Sequence, residues 1–389
     1  MSEQRLSTLS QSQTSAFTSI TCHECGYHID IPHLPNKHKA ICPRCGYRLT
    51  AYREHATQWV CALAFSALIF LFIALPFKFL SFSAGGQSQQ IDILSSIELL
   101  FAQDYAILGL IMASAIIVLP ACILLSLLLI LVPLQFGIVL PKASYFVTFI
   151  FAILPWAMAE IFLVGVLVSL VKISSLADVG IGLSFYAFLL FTVAMSAMLL
   201  FLDEHQLRSE IQGKPNRAKK YSDASKSIQT TWALLLTAIL LYIPANLLPI
   251  MVTDTLGDEQ PSTIIGGVVL LWQSGSYPIA FIIFVASVLV PVAKIVILCW
   301  LNFSVQFAHQ DLTIQRMKWY RFTEFIGRWS MIDVFVVAVL VSLIQLGNVM
   351  SIHPGHAVIA FCGVVIVTML AAMSFDTRLI WQKDPSDNE

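Results

Sequence analysis

A lysine and an aspartate interrupt two separate apolar runs of this 389-residue chain. Lys294 lies within SYPIAFIIFVASVLVPVAKIVILCWLNF, and Asp333 within FIGRWSMIDVFVVAVLVSLIQL. A charge at mid-bilayer costs about 2.5–3.5 kcal/mol on insertion scales, so such a group needs a partner. If the first run ends at the cytoplasmic face and the second starts there, each charge sits roughly 13 Å from that face at the helical rise. An opposite-sign pair at one depth meets the need. Read structurally, the pair joins two helices; read functionally, it marks a polar transport site. Ser287 precedes Lys294 by two helical turns, so both share a helix face. Thr368 falls at the same depth in the last apolar run. Serine and threonine in membrane helices also back-bond to their own helix or join two helices, and that reading stays open for each.

A second chemical set lies near the N-terminus. Cys22-His23-Glu24-Cys25-Gly26 and Cys42-Pro43-Arg44-Cys45-Gly46 form a CxxCG and a CPxCG. Each CxxC is a tight knuckle that offers two thiolates to one metal, and the following glycine permits the turn. Two knuckles make a four-sulfur tetrahedral shell, the pattern of a structural zinc ribbon holding one ion. A closed shell has no open position, which argues for scaffolding and against catalysis. Disulfides are the alternative. His23, His28, His33 and His38 read as solvated residues, because four thiols suffice.

These groups must be positioned by membrane helices. The chain is 58% hydrophobic and 12% charged, which marks an integral membrane protein. Its net charge of −1 gives no electrostatic case for nucleic acid. No signal peptide is expected, since the first fifty residues are polar. Eight runs are long enough to span: 58–80, 106–133, 146–171, 181–202, 231–252, 277–303, 325–347 and 356–379. Basic segments, with Lys37, Lys39, Arg44, Arg48 and Arg53 first, alternate with segments lacking Lys and Arg. Both termini are therefore expected in the cytoplasm.

The runs repeat. WAMAEIFLVGVLVSLVK (156–172) aligns without a gap on WSMIDVFVVAVLVSLIQ (329–345), matching Glu160 to Asp333. Pro76 matches Pro249, and Leu119-Pro120 matches Val290-Pro291 at a nearly equal shift. The expected fold is an all-α polytopic membrane protein of two tandem four-helix modules in the same orientation, a parallel repeat, plus the small ribbon. The divisions are a flexible 1–20, a ribbon at 21–54, a first module at 55–202, a linker at 203–229, a second module at 230–381 and a tail at 382–389. The copies differ at one telling place: Ile123 stands where Lys294 stands, so Glu160 has no matching lysine in its own module.

Together these features resemble the paraquat-inducible protein A family, including its LetA branch. The resemblance runs from the ribbon to Phe375-Asp376-Thr377-Arg378-Leu379-Ile380-Trp381. Its most specific stretches are Pro244-Ala245-Asn246-Leu247-Leu248-Pro249-Ile250, Pro291 to Lys294, and Ile326-Gly327-Arg328-Trp329-Ser330-Met331-Ile332-Asp333. It implies a bacterial inner-membrane protein that moves phospholipid between the two membranes beside a periplasmic MCE-domain partner. It also implies that Ser287, Lys294, Asp333 and Thr368 matter for transport, with Glu160 the matching acid of the first module. Relatives commonly carry a second cysteine ribbon before the fifth helix; linker 203–229 has no cysteine, so a single zinc is expected. Some relatives also carry an acid where Ser175 stands here. The absence of a Walker sequence argues against nucleotide hydrolysis by this chain. Transport component, membrane scaffold and redox enzyme are the competing functions. The last has no haem pair or flavin motif behind it, so no enzymatic activity is expected.

Overall fold

The computed structural model describes residues 18–31, 34–36, 38–84, 87–102, 105–173, 178–211, 224–255, 258–273, 275, 277–307, 313–343 and 350–381. The chain opens with two antiparallel hairpins, β1 (Thr18–Thr21) with β2 (His28–Ile31) and β3 (Lys39–Ile41) with β4 (Arg48–Ala51). Each hairpin turn is a cysteine knuckle. Gly26 and Gly46 adopt φ of 70° and 69° just after the second cysteine of each, a left-handed backbone that favours glycine.

The first repeat begins with α1 (Ala56–Ala74), then a hairpin of β5 (Leu80–Ala84) and β6 (Gln87–Ile91), then a short α2 (Ile93–Ala102). The helix α3 (Ala106–Ala113) runs through a π turn at Ser114–Val118 into α4 (Leu119–Gln135). Next come α5 (Ala143–Ile153), a 3₁₀ turn at Leu154–Trp156, α6 (Ala159–Ile173), β7 (Asp178–Ile181), α7 (Leu183–Phe201) and α8 (Glu204–Glu210). The second repeat follows the same plan. It has α9 (Ala224–Leu247), β8 (Met251–Thr255), β9 (Asp258–Ser262), α10 (Ile264–Gln273) and α11 (Tyr277–Phe284). A π turn at Val285–Leu289 leads into α12 (Val290–Phe307), followed by α13 (Thr313–Trp329), α14 (Ile332–Leu343), β10 (Met350–Pro354) and α15 (Ala357–Ser374).

The fold is therefore not purely helical. Besides the head hairpins, each repeat has a three-stranded antiparallel sheet, ordered β6-β5-β7 and β9-β8-β10, at the end of the bundle away from the head. The alternating LSFSA and QSQQI around Gly85-Gly86 carry the hairpin signal that helical hydropathy hides. Among the described residues, seven stretches are long and apolar enough to cross a membrane, where eight were expected. The run 325–347 is not one helix: α13 ends at Trp329 and α14 restarts at Ile332. Ser330 sits in the gap and donates to the Gly327 carbonyl at 2.8 Å, a local bond that competes with helix continuation. The run 146–171 breaks at the equivalent place, Leu154–Met158, where Pro155 is the visible cause.

Irregular backbone inside a membrane must be satisfied by protein. Each π turn ends two residues before a proline, Pro120 or Pro291, which cannot donate back to the preceding turn. In the first repeat, the amide of Met158, at the helix break, donates to the Ala115 carbonyl in the π turn at 3.2 Å. Each irregularity thus supplies what the other lacks. Ser184 closes the sheet end of the same repeat by donating to the Ala74 carbonyl.

The two repeats meet along α6 and α14. Phe162 and Phe335 occupy the same repeat position, and their rings touch edge to face at 5.7 Å. Equivalent residues meet one another only on a two-fold axis, so the duplication has folded like an internal isologous dimer. Gly165 allows the approach: a Cβ there would lie 3.2 Å from Phe335 Cβ and 3.4 Å from the Ile332 carbonyl oxygen. Gly165→Val should overpack this seam and cost about 1–3 kcal/mol in detergent unfolding. Gly267→Ala, whose Cβ would meet nothing within 4 Å, serves as the control and should not destabilise. Equal stability of Gly165→Val and wild type would mean that the seam is not close-packed.

Candidate functional site

The two-fold relation lets each buried position be compared with its counterpart. In the first repeat Ile116, Ile123, Leu131, Ile150 and Met195 fill the inner faces of the helices. In the second repeat the matching positions hold Ser287, Lys294, Asn302, Thr323 and Thr368. None of these ten side chains is more than 2% exposed, so exposure does not account for the polarity. One fold has been filled twice, once with hydrocarbon and once with hydrogen-bonding groups.

Lys294 is at the middle of this set. Its Nζ donates to Thr368 Oγ1 at 2.9 Å, and Thr368 Oγ1 donates to the Val365 carbonyl at 3.0 Å. Thr368 thus back-bonds to its own helix and receives the lysine at once. Gly327 on α13 faces the ammonium: a Cβ there would lie 3.8 Å from Nζ. The counterpart of Gly327 is Leu154, as the counterpart of Lys294 is Ile123; the small residue leaves room for the long one.

Ser287 lies in the π turn of the second repeat, fully buried, and its Oγ has no hydrogen-bond partner among the described residues. The same holds for Asn302 Oδ1, whose amide nitrogen donates to the Ile228 carbonyl at 3.2 Å, and for Asn246 Oδ1 on α9. A buried polar atom without a partner costs about 1–3 kcal/mol, so these oxygens are positions at which a polar guest is favoured. Ser287, Lys294 and Asn302 recur at spacings of seven and eight along α11 to α12, which makes a polar stripe on one face. That spacing could have revealed Asn302 in the sequence. Nothing in the sequence singles out Thr323, which back-bonds to Trp319 at 3.0 Å.

Asp333 falls in the first turn of α14, just past the helix break, and Glu160 falls in the first turn of α6. The first turn of a helix carries free amides and the positive end of the dipole, which favour a carboxylate. The Asp333 side chain lies outside the described residues, and so does its expected pairing with Lys294. The Glu160 side chain does not join the lysine group in the hydrogen bonds described: Ser196 of its own repeat donates to Glu160 Oε1 at 3.3 Å.

In the head, Cys22, Cys25, Cys42 and Cys45 bring their four sulfurs within 4.8 Å of one another. The closest cross-knuckle pairs, Cys22 with Cys45 and Cys25 with Cys42, are 3.6 Å apart. Donors of this kind and spacing can hold a metal ion.

The chain resembles known proteins along nearly its whole length. The sequence profile of the family described as paraquat-inducible protein A matches residues 57–212 and again 228–384, one match per repeat. A relative from Escherichia coli (strain K12), named "Intermembrane transport protein PqiA", is 38% identical over 403 aligned residues, covering 94% of this chain and 96% of its own. A "Probable intermembrane transport protein" of Haemophilus influenzae (strain ATCC 51907 / DSM 11121 / KW20 / Rd) is 27% identical over 94% of this chain and 96% of its own. The "Lipophilic envelope-spanning tunnel protein A" of Escherichia coli (strain K12) is 27% identical over 94% of this chain and 92% of its own. No solved structure matches the chain.

Thr368→Val should remove the acceptor of Lys294 and destabilise the protein by about 1–3 kcal/mol in thermal unfolding, while Thr368→Ser should keep most of the stability. Ser287→Ala removes an oxygen without a partner among the described residues and should cost nothing. Wild-type stability of Thr368→Val would show that this bond does not hold the lysine.

Proposed function

The chain belongs to the paraquat-inducible protein A family, and on that premise we propose that it moves phospholipid between the two membranes of a bacterial envelope. It does so from the inner membrane, with both termini in the cytoplasm and a periplasmic MCE-domain protein as partner. The observation that supports this reading is the polar filling of the second repeat where the first is apolar. Acyl chains pack against the apolar outer faces of the helices, and a headgroup seeks the hydrogen-bonding groups around Lys294. The chain performs no catalysis of its own and binds no nucleic acid.

Proton exchange at Asp333 drives the cycle. Asp333 falls in the first turn of the restarted helix, where a carboxylate is favoured, so a change in its charge biases the α13–α14 joint. Ionised, it pairs with Lys294; protonated, it releases the joint. Ser287, Thr368 and Asn302 hydrogen-bond the passing group, and Glu160 ties α6 to α7 inside the first repeat through Ser196. The head holds one structural zinc by Cys22, Cys25, Cys42 and Cys45. A tetrahedral zinc with sulfur at about 2.3 Å spaces its sulfurs about 3.8 Å apart, close to the 3.6 Å found here.

A double-mutant cycle tests the pair. Lys294→Ala and Asp333→Ala should each leave the MCE-domain partner bound and lower phospholipid export at least tenfold. The double variant should lose less than the two losses combined, because removing one charge strands the other. Additive losses would rule out direct pairing. Full export by both single variants, with the partner bound, would leave a scaffold instead of a transporter.

A further inference from the structure

The head is joined by chain to the first repeat, yet its cysteine knuckles rest on the second. On the first-repeat side, Thr50 Oγ1 and the Ala51 amide donate to the Asp203 carboxylate, each at 2.9 Å. On the other side, Arg321 of α13 donates from Nη2 to the Cys45 carbonyl at 3.1 Å. The same guanidinium lies 3.9 Å from Glu24 Oε2 and stacks 5.6 Å from the Tyr47 ring. Arg44, inside the second knuckle, donates to the Trp381 carbonyl at 3.0 Å and stacks over its ring at 4.9 Å. Trp381 packs against the core formed by Cys22, Cys25 and Cys42. Burial beside Glu324 raises the Glu24 carboxyl to about 7, with Arg321 pulling the other way.

Arg321 thus holds the backbone of one cysteine knuckle and lies beside a carboxylate of the other. Cys45 is itself one of the four sulfur donors, and Glu24 lies between two of them. Arg321 also stands under two turns from Gly327, the residue facing the Lys294 ammonium. Behind Gly327 is the break that leads into α14. A short rigid path therefore runs from the four cysteines through α13 to the polar core.

We infer that the head is a metal-dependent strut: loading the four cysteines with zinc docks α13 through Arg321 and so sets the width of the polar core beside Lys294. This rests on the metal-site reading of the cysteines, and is independent of the transport reading. Two states follow. In the loaded state the Cys45 carbonyl is fixed and α13 is held. In the metal-free state the knuckles open, Arg321 loses its acceptor, and α13 moves at its break. Coupling of this kind is reciprocal: if the metal favours docking, docking must favour the metal by the same factor.

The test uses the full-length protein in lipid nanodiscs. Zinc content is measured first, then zinc transfer to a colorimetric chelator is followed. Arg321→Ala should weaken zinc retention about tenfold or more, since a charge-assisted bond to the knuckle is lost. A second readout is the distance between spin labels carried by non-cysteine unnatural amino acids at the exposed positions Asp30 and Lys318. The distribution should be narrow with zinc, and broad after chelation or in Arg321→Ala. Protein without zinc would overturn both the metal site and the strut. Bound zinc with unchanged retention in Arg321→Ala, or a label distance indifferent to zinc, would overturn the strut alone.

Discussion

An ammonium buried in an apolar bundle constrains everything around it. Lys294 is almost without solvent contact, and its described partner is one threonine hydroxyl 2.9 Å away. Holding a cation at such depth costs several kcal/mol unless polar groups converge on it. The second repeat accordingly places Thr368 opposite, Gly327 alongside and Ser287 two turns away on the same face. A larger residue at Gly327 would crowd the ammonium, and an apolar one at Thr368 would strip it of its acceptor. The first repeat has none of these choices to make, and it makes the opposite ones: Ile123 with Leu154 and Met195.

Duplication explains how one half could be released for this role. Both repeats share the π turn before the proline, the broken helix and the three-stranded sheet, so the backbone was settled before the cores diverged. The seam through Phe162, Gly165 and Phe335 then binds the halves as an internal dimer. The first repeat, apolar at Ile116, Ile123, Leu131, Ile150 and Met195, provides a wall against which a polar, less satisfied second repeat can work. Its Ser287, Asn302 and Asn246 oxygens, without hydrogen-bond partners among the described residues, lower stability and make room for polar guests, the usual exchange between stability and function.

Much of this was legible in the sequence, and the failures have physical causes. Hydropathy finds the apolar runs because length and composition alone decide who can cross a bilayer. The in-register Trp, acid and proline matches reveal the repeat, and the knuckle spacing brings four cysteines together. Hydropathy cannot see a break inside a run that stays apolar, so 325–347 reads as one helix although Ser330 interrupts it. It also cannot see the sheets, whose strands are short and polar and carry their signal in period two. The polar core was half legible: Lys294, Ser287 and Thr368 stand out and the spacing of the stripe points to Asn302, but Thr323 becomes meaningful only when set against its buried counterpart Ile150. The pairing of Lys294 with Asp333 rests on equal depth; the hydroxyl that receives the lysine, that of Thr368, is described, while the Asp333 side chain lies outside the described residues.

The central claim is that the second repeat's polar core, and not the first repeat's apolar one, carries transport. The direct measurement is transfer of labelled phospholipid between donor and acceptor vesicles by the chain reconstituted with the MCE-domain partner proposed for it. It compares Lys294→Met with the counterpart change Ile123→Met at matched abundance. Lys294→Met should lose at least tenfold in transfer, and Ile123→Met should transfer near the wild-type rate. Equal transfer by the two variants would contradict the central claim.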